Sequence, residues 1–251
     1  MNRNKKLVMR TAAIALCTVM TIDHGTYVYG AGKNSIKDEN VYVNLEQNGS
    51  VDDIYIVNEF DRKQPGDIVD YGEYSSVKNL TTDDKLTLEG NKVSGHIPEG
   101  KFYYQGNVKS KEIPWDIKIS YYLDGVKKSA DEVAGKSGKV KIRIQVKENK
   151  ACEKDFFDYY LLQATVVLDT EKCSDIKADG ATAANVGKNR QLVYNIMAGQ
   201  EKDIVITAKV KNFEMEAISF QGVPMSFDLD EDILDTSSLT DETKKITDAV
   251  D

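Results

Sequence analysis

The sequence has no hydrophobic run long enough to cross a membrane as a helix. Its main apolar stretch extends from Thr11 to Ile22 and is followed by the charged Asp23. A transmembrane helix needs roughly 20 consecutive apolar residues. The stretch therefore does not predict a membrane-spanning segment.

Histidine is nearly absent, because the 251-residue chain contains 2 and one of them, His24, lies beside the N-terminal apolar stretch. A Ser-His-Asp or Cys-His mechanism would have to use His96. A zinc site would have to combine His96 with Cys152 and Cys173, which do not have ligand spacing. The sequence therefore predicts a chain that is not an enzyme and that binds no metal or cofactor. A hydrolase with two carboxylates close in space remains a less favoured alternative.

Cysteine is also scarce, with 3 in the chain. Cys17 lies in the N-terminal apolar stretch, whereas Cys152 and Cys173 flank a predicted strand at 160–168. That strand would span roughly 26 Å, so a bridge requires both flanks to fold back along it. In an oxidising compartment a disulfide between Cys152 and Cys173 would stabilise the fold by roughly 3 kcal/mol. The alternative is two ordinary buried thiols.

The N terminus has the layout of an export signal. Four basic residues precede the apolar run, polar residues follow it, and the small residues Gly30 and Ala31 offer a cleavage site. We therefore predict a signal peptide over residues 1–30 and a mature chain outside the cytoplasm, secreted or at the cell surface. Any membrane association would come from an uncleaved signal or from a region beyond Asp251.

The chain is acidic, with a formal net charge of −8 at pH 7. Removal of the basic signal makes the mature chain more acidic still. Affinity for nucleic acid that is independent of sequence comes from Lys and Arg. The composition therefore predicts no nucleic-acid partner.

Period-two alternation of apolar and polar residues dominates residues 40–228 and predicts strands. The clearest cases are 139–147 and 203–211, and the first of these carries a stripe of lysines beside Arg143. Such a stripe is either an ordinary solvent-exposed face of a sheet or a contact for anionic wall polymers. Asn48-Gly49 and Gly90-Asn91 predict hairpin turns, so the sheets should be antiparallel.

Helix signals are confined to two places. Ser129 and Glu132 have capping-box spacing and predict one helical turn. Ser238 begins a second helix, in which Leu239, Ile246 and Val250 follow part of a heptad pattern. An isolated helix this short is marginal in water, so we interpret residues 231–251 as a linker and the start of a helical stalk.

Three tyrosine doublets fall in predicted strands, and alternation forces one ring of each pair outward. Counting parity predicts that the outward members are Tyr103, Tyr122 and Tyr159. Exposed tyrosines suit protein contact or sugar stacking. The same rings could also be covered by a neighbouring domain.

Several long strings resemble the N-terminal extracellular region of Gram-positive surface proteins that carry Leu-x-x-Gly heptad repeats, a family similar in layout to the phage infection protein family. The strings are residues 115–125 and 130–144, with shorter ones at 41–45, 102–106 and 180–187. The resemblance implies a coiled-coil stalk and a bacterial surface role, and it implies no catalytic residues.

These signals together predict an all-β protein with two consecutive antiparallel β-domains and a short C-terminal helix. We place an N-terminal β-domain at 38–112 and an immunoglobulin-like β-sandwich at 113–230. The predicted function is a noncatalytic extracellular interaction or scaffold module of a cell-envelope protein. Its partner would be a protein or a cell-wall polymer at the surface. A cell-wall carbohydrate-binding module is the alternative.

Overall fold

The computed structural model of the protein describes residues 12–18, 36–152 and 154–225. The predicted cleavage site and the predicted linker and stalk start at 231–251 lie outside these residues. Within them the chain is all β apart from two short helices, α1 at Ala130–Val133 and α2 at Lys154–Tyr159. No helix in this part of the chain is long and apolar enough to span a membrane.

The strands follow one another closely along the chain. In order they are β1 Ala12–Thr18, β2 Ile36–Leu45, β3 Val51–Arg62, β4 Gly66–Tyr71, β5 Tyr74–Asn79, β6 Thr87–Glu89, β7 Lys92–Ile97, β8 Gly100–Val108, β9 Trp115–Leu123, β10 Val126–Lys128, β11 Gly138–Glu148, β12 Tyr160–Asp169, β13 Cys173–Lys177, β14 Thr182–Val186, β15 Asn189–Ile196, β16 Lys202–Val210 and β17 Ser219–Pro224.

The strands form three sheets. A nine-stranded sheet has the order β14-β15-β12-β17-β1-β2-β3-β8-β5, a five-stranded sheet has the order β10-β9-β11-β16-β13, and a three-stranded sheet has the order β4-β7-β6. The described pairs of named strands are antiparallel except for β1 with β17, which is parallel. This arrangement confirms the predicted all-β, sandwich-type fold.

The buried residues separate into two cores. A smaller core in the first half of the chain contains Phe60, Phe102 and Tyr104, and a larger one lies between the five-stranded sheet and strands β12, β15 and β17 of the nine-stranded sheet. The buried residues of the smaller core all precede residue 112, near which the sequence analysis places a domain boundary. Val43 and Leu45, however, belong to the larger core, so the β2–β3 hairpin is shared between the two halves.

Both predicted hairpins are present, and the first, between β2 and β3, also contacts the second half of the chain. Its turn at Asn48-Gly49 lies against β9, where the Ile119 N–H donates to the Asn48 carbonyl at 2.7 Å. Gly49 has φ +95°, and a Cβ there would collide with the Ile117 carbonyl. Glycine at this position therefore serves both the turn and the close approach to β9.

Strand β1 lies inside the segment that the sequence predicts to be a cleaved signal. It fills the position between β17 and β2, pairing with residues 39–45 of β2 and 219–222 of β17. Cleavage after Gly30 would remove this strand from the middle of the nine-stranded sheet.

Candidate interaction surface

The outer face of the five-stranded sheet is rich in lysine because strand alternation separates its residues cleanly. On β11, Val140, Ile142, Ile144 and Val146 point into the larger core, so the intervening residues point out. The neighbouring strands follow the same register. We call the resulting surface the basic face; it comprises Lys118, Tyr122, Lys127, Lys139, Lys141, Arg143, Lys147, Lys177, Val205, Thr207 and Lys209.

An aromatic ring flanked by cations forms the middle of the basic face. Lys141 is directly opposite Tyr122 in the β9–β11 register, and its Nζ lies 3.8 Å from the centroid of the Tyr122 ring. At an exposed site such a cation–π contact is worth about 0.5–1 kcal/mol. The Tyr122 side chain also interacts with Arg143, whose pKa it helps to raise.

Arg143 is held in place by an ion pair with Asp203. Its Nε donates to both carboxylate oxygens, at 2.8 and 3.1 Å, and its Nη2 donates to one of them. These hydrogen bonds raise the pKa of Arg143 and lower the pKa of Asp203. The pair fixes the guanidinium beside Tyr122 instead of leaving it mobile in solvent.

Like charges face each other at one end of the basic face. Lys139 is directly opposite Lys209 in the β11–β16 register, an arrangement that destabilises a sheet. Lys209 is partly compensated by Asp175, 2.7 Å from its Nζ, and this hydrogen bond lowers the pKa of the carboxyl. The concentration of cations here is therefore opposed by local electrostatics.

The charge of the basic face is opposite to that of the whole chain. Its eight basic residues outnumber the acidic residues on or beside it, which include Asp116, Asp124, Asp175 and Asp203, although the chain carries a formal net charge of −8. The exposed Val205, 43% accessible, adds an apolar spot between Arg143 and Thr207. A surface of this composition is suited to a partner with complementary negative charge.

A wide polar groove adjoins the basic face along the edge of β9. It has a volume of about 1390 Å³ and lies between the turn at 46–50 and the segment from β10 to α1. Lys118 and Lys127 line the groove as well as the basic face. The two features therefore form one continuous surface that includes the junction between the two halves.

The three tyrosines predicted to point outward do so, but they do not form one site. Their doublet neighbours Tyr104, Tyr121 and Tyr160 are buried, whereas Tyr103 and Tyr122 are half-buried and Tyr159 is 61% exposed. Tyr103 lies on β8, Tyr122 on β9 and Tyr159 at the end of α2. Only Tyr122 belongs to the basic face, and none of the three lines the groove.

Of the two alternatives that the sequence left open for Cys152 and Cys173, the structure contains two free thiols and no disulfide between them. Cys152 follows the last residues of β11, whereas Cys173 pairs with Val210, which is itself opposite Gly138 at the start of β11. The two cysteines therefore lie at opposite ends of an 11-residue strand. The alternative of two separate thiols matches this geometry, and burial raises the pKa of Cys173 to about 11.

His96 lies on β7, away from the basic face. Its Nδ1 is 2.8 Å from Asp67 Oδ1, and both side chains are largely exposed. Among the described residues, no three His, Cys, Asp or Glu side chains are grouped as metal ligands would be.

A buried polar cluster in the smaller core was not predicted from the sequence. Asp70 is 3% exposed, accepts from Lys37 Nζ at 2.8 Å and accepts from the Tyr104 hydroxyl. Burial lowers the pKa of Lys37, but attraction to Asp70 and Glu39 outweighs burial and raises it overall. The available signal was Asp70 itself, a carboxylate at the same strand parity as the buried Ile68.

Comparison with known proteins does not assign the chain to a family. No family model and no curated protein matches the chain. Among solved structures, the Fcho1 Mu homology domain of Danio rerio with bound Eps15 peptide is similar over 84% of this chain and 93% of that one, with 9% identity and a TM-score of 0.38.

Proposed function

We propose that this chain is a noncatalytic interaction or scaffold module of a bacterial cell-envelope protein, and that it contacts its partner through the basic face. The observation that carries the proposal is the concentration of lysines around Tyr122 and Val205 on one face of an acidic chain. The aromatic ring and the fixed arginine are residue types that are enriched in protein contacts, and the lysines supply charge complementarity to an acidic partner.

The arrangement of Lys139 opposite Lys209 favours a contact role over an ordinary wet face. Solubility requires charge, but it does not require like charges at a directly paired position, where they destabilise the sheet. A negatively charged partner would relieve this repulsion on binding. The basic face would then contribute both steering and affinity to the complex.

Export to the cell surface is part of the same proposal. It rests on the basic N terminus, the apolar stretch from Thr11 to Ile22 and the small residues at 30–31. The resemblance to Gram-positive surface proteins with heptad repeats supports the same location and a stalk beyond the β-domains. Attachment to the membrane would come from an uncleaved signal or from a following region.

Binding to isolated cell envelopes tests the proposal. The processed protein should bind envelopes of the exporting cell, and binding should weaken as salt screens the basic face. Lys141→Glu should weaken binding at least about tenfold, because it reverses a charge beside Tyr122. Lys85→Glu makes the same charge change on an exposed loop outside the basic face and should leave binding within about twofold. Equal affinity of the two variants would contradict the proposal.

A wall-carbohydrate module is the second candidate, favoured by the Tyr122 ring between Lys141 and Arg143. An aromatic face with adjacent cations suits an anionic sugar polymer as well as an acidic protein. Protease treatment of the envelopes separates the two. Loss of binding after treatment indicates a protein partner, whereas binding that survives on purified wall polymer replaces the protein-contact proposal with the carbohydrate one.

A further inference from the structure

The middle of the nine-stranded sheet contains a strand position that is filled from the predicted signal segment. In the full chain this position is occupied by β1, whose residues pair with β2 on one side and β17 on the other. This inference rests on the cleaved form of the proposed exported protein: if the signal is cleaved after Gly30, β2 and β17 are left with a gap of one strand between them. The gap would be about 9.5 Å wide, two strand spacings.

Both walls of this gap are fixed by contacts that do not involve β1. Strand β2 is anchored through its turn, where the Asn48 carbonyl accepts from the Ile119 N–H at 2.7 Å. Strand β17 is paired along its length with β12, from Tyr160 opposite Pro224 to Thr165 opposite Ser219. Because each wall is held by its own partner strand, the gap cannot close without disturbing the larger core.

The walls also define what fits between them. Val43 and Phe220 are buried in the larger core and are the partners of Ile14 in the two registers. Ala15 is paired instead with the partly exposed Tyr42 and the exposed Gln221. A strand in this position therefore needs apolar residues at every second position and tolerates polar residues between them.

We infer that the gap between β2 and β17 is a strand-acceptor site, and that it takes an uncharged, apolar strand of about seven residues from a partner polypeptide. The strand would run antiparallel to β2 and parallel to β17, as Ala12–Thr18 does. Addition of a strand satisfies the exposed backbone groups of both walls and buries apolar side chains in the core. Unfilled, the same two edges would be prone to aggregation.

The segment that follows β17 is poorly suited to this position. Residues 226–235 follow β17 directly and include Asp228, Asp230, Glu231, Asp232 and Asp235. A chain returning directly from β17 would run antiparallel to it, whereas the strand in this position is parallel to β17. Charge and direction therefore both favour a strand from another polypeptide.

Peptide binding to the processed protein tests the inference. The protein is recovered from outside the cell, its N terminus is determined, and a labelled peptide with the sequence of residues 11–19, carrying Cys17→Ser, is titrated by fluorescence anisotropy. Saturable binding is expected, with added hydrogen-exchange protection in β2 and β17. Peptide Ile14→Asp should bind at least about tenfold more weakly, because it places a carboxylate against the core. Peptide Ala15→Asp should stay within about threefold.

Three results would overturn the inference: no saturable binding, equal weakening by the two peptide substitutions, or a mature protein that retains residues 12–18 and so fills the position itself. Protein variant Lys139→Glu separates this site from the basic face, because Lys139 lies on the five-stranded sheet. It should bind the peptide like the wild type even if it fails to bind envelopes.

Discussion

Replacing Tyr104 by phenylalanine should destabilise the protein although almost no volume is removed. The Tyr104 hydroxyl donates to the buried carboxylate of Asp70, and burial, followed by the Asp70 charge, raises the pKa of the phenol far above its ordinary value. A hydrogen bond to a charged group contributes about 1.5–3 kcal/mol net. The remaining ring should keep its stacked contact with Phe60, at 6.3 Å between centroids.

Tyr194→Phe is the matched control, because Tyr194 is equally buried but its hydroxyl has no hydrogen-bond partner among the described residues. Removing an unsatisfied hydroxyl should leave stability unchanged or raise it by about 1 kcal/mol. Tyr104→Phe should therefore lower Tm by roughly 3–12 °C, given about 2–4 °C per kcal/mol for a chain of this size. Thermal unfolding followed by circular dichroism measures this shift. Equal shifts for both variants would show that the Asp70 cluster contributes no specific stabilisation.

Three further results are expected. Ile144→Asp should unfold the larger core, since it buries an unpaired charge, whereas Arg143→Asp on the basic face should lower Tm only slightly. Equal decreases of Tm in the two variants would disprove the assignment of inward and outward residues on β11. Burial raises the pKa of Tyr121 to about 12, above the value near 10 of an unfolded chain, so its contribution to stability is constant below about pH 10 and falls as pH rises toward 12. The part of the 295 nm absorbance change that Tyr121→Phe removes should then appear only together with loss of circular dichroism, and its appearance near pH 10 with the fold intact would contradict the burial. Without reductant, Cys152 should be alkylated in the native protein and Cys173 only after unfolding. If neither cysteine is alkylated until the protein is reduced, the two form a disulfide.

The alternation of apolar and polar residues was sufficient to predict the strands that have one solvent-exposed and one buried face. The alternation at 139–147 and 203–211 predicted β11 and β16, and the two hairpin turns and the capping box at Ser129 are where the sequence placed them. These features depend on neighbouring residues, so they are visible in a short window of sequence.

Features that depend on distant residues were not predictable in the same way. The possible disulfide does not fit the structure because Cys152 and Cys173 lie near opposite ends of β11. Spacing along the chain does not reveal the order of strands in a sheet. The basic face required the registers of β9, β11 and β16, which place Lys139 opposite Lys209 and Lys141 opposite Tyr122. The lysine stripe was visible in the sequence, but its aromatic and apolar neighbours were not.

The most direct test of the basic face is to measure Lys139→Glu twice, once for stability and once for envelope binding. Opposite Lys209, a glutamate replaces a repulsive pair with an attractive one, so Tm should be unchanged or higher, while affinity for the envelope should fall at least about tenfold. Lys85→Glu, with the same change in net charge, should alter neither. Undiminished binding by a stable Lys139→Glu protein would contradict the account.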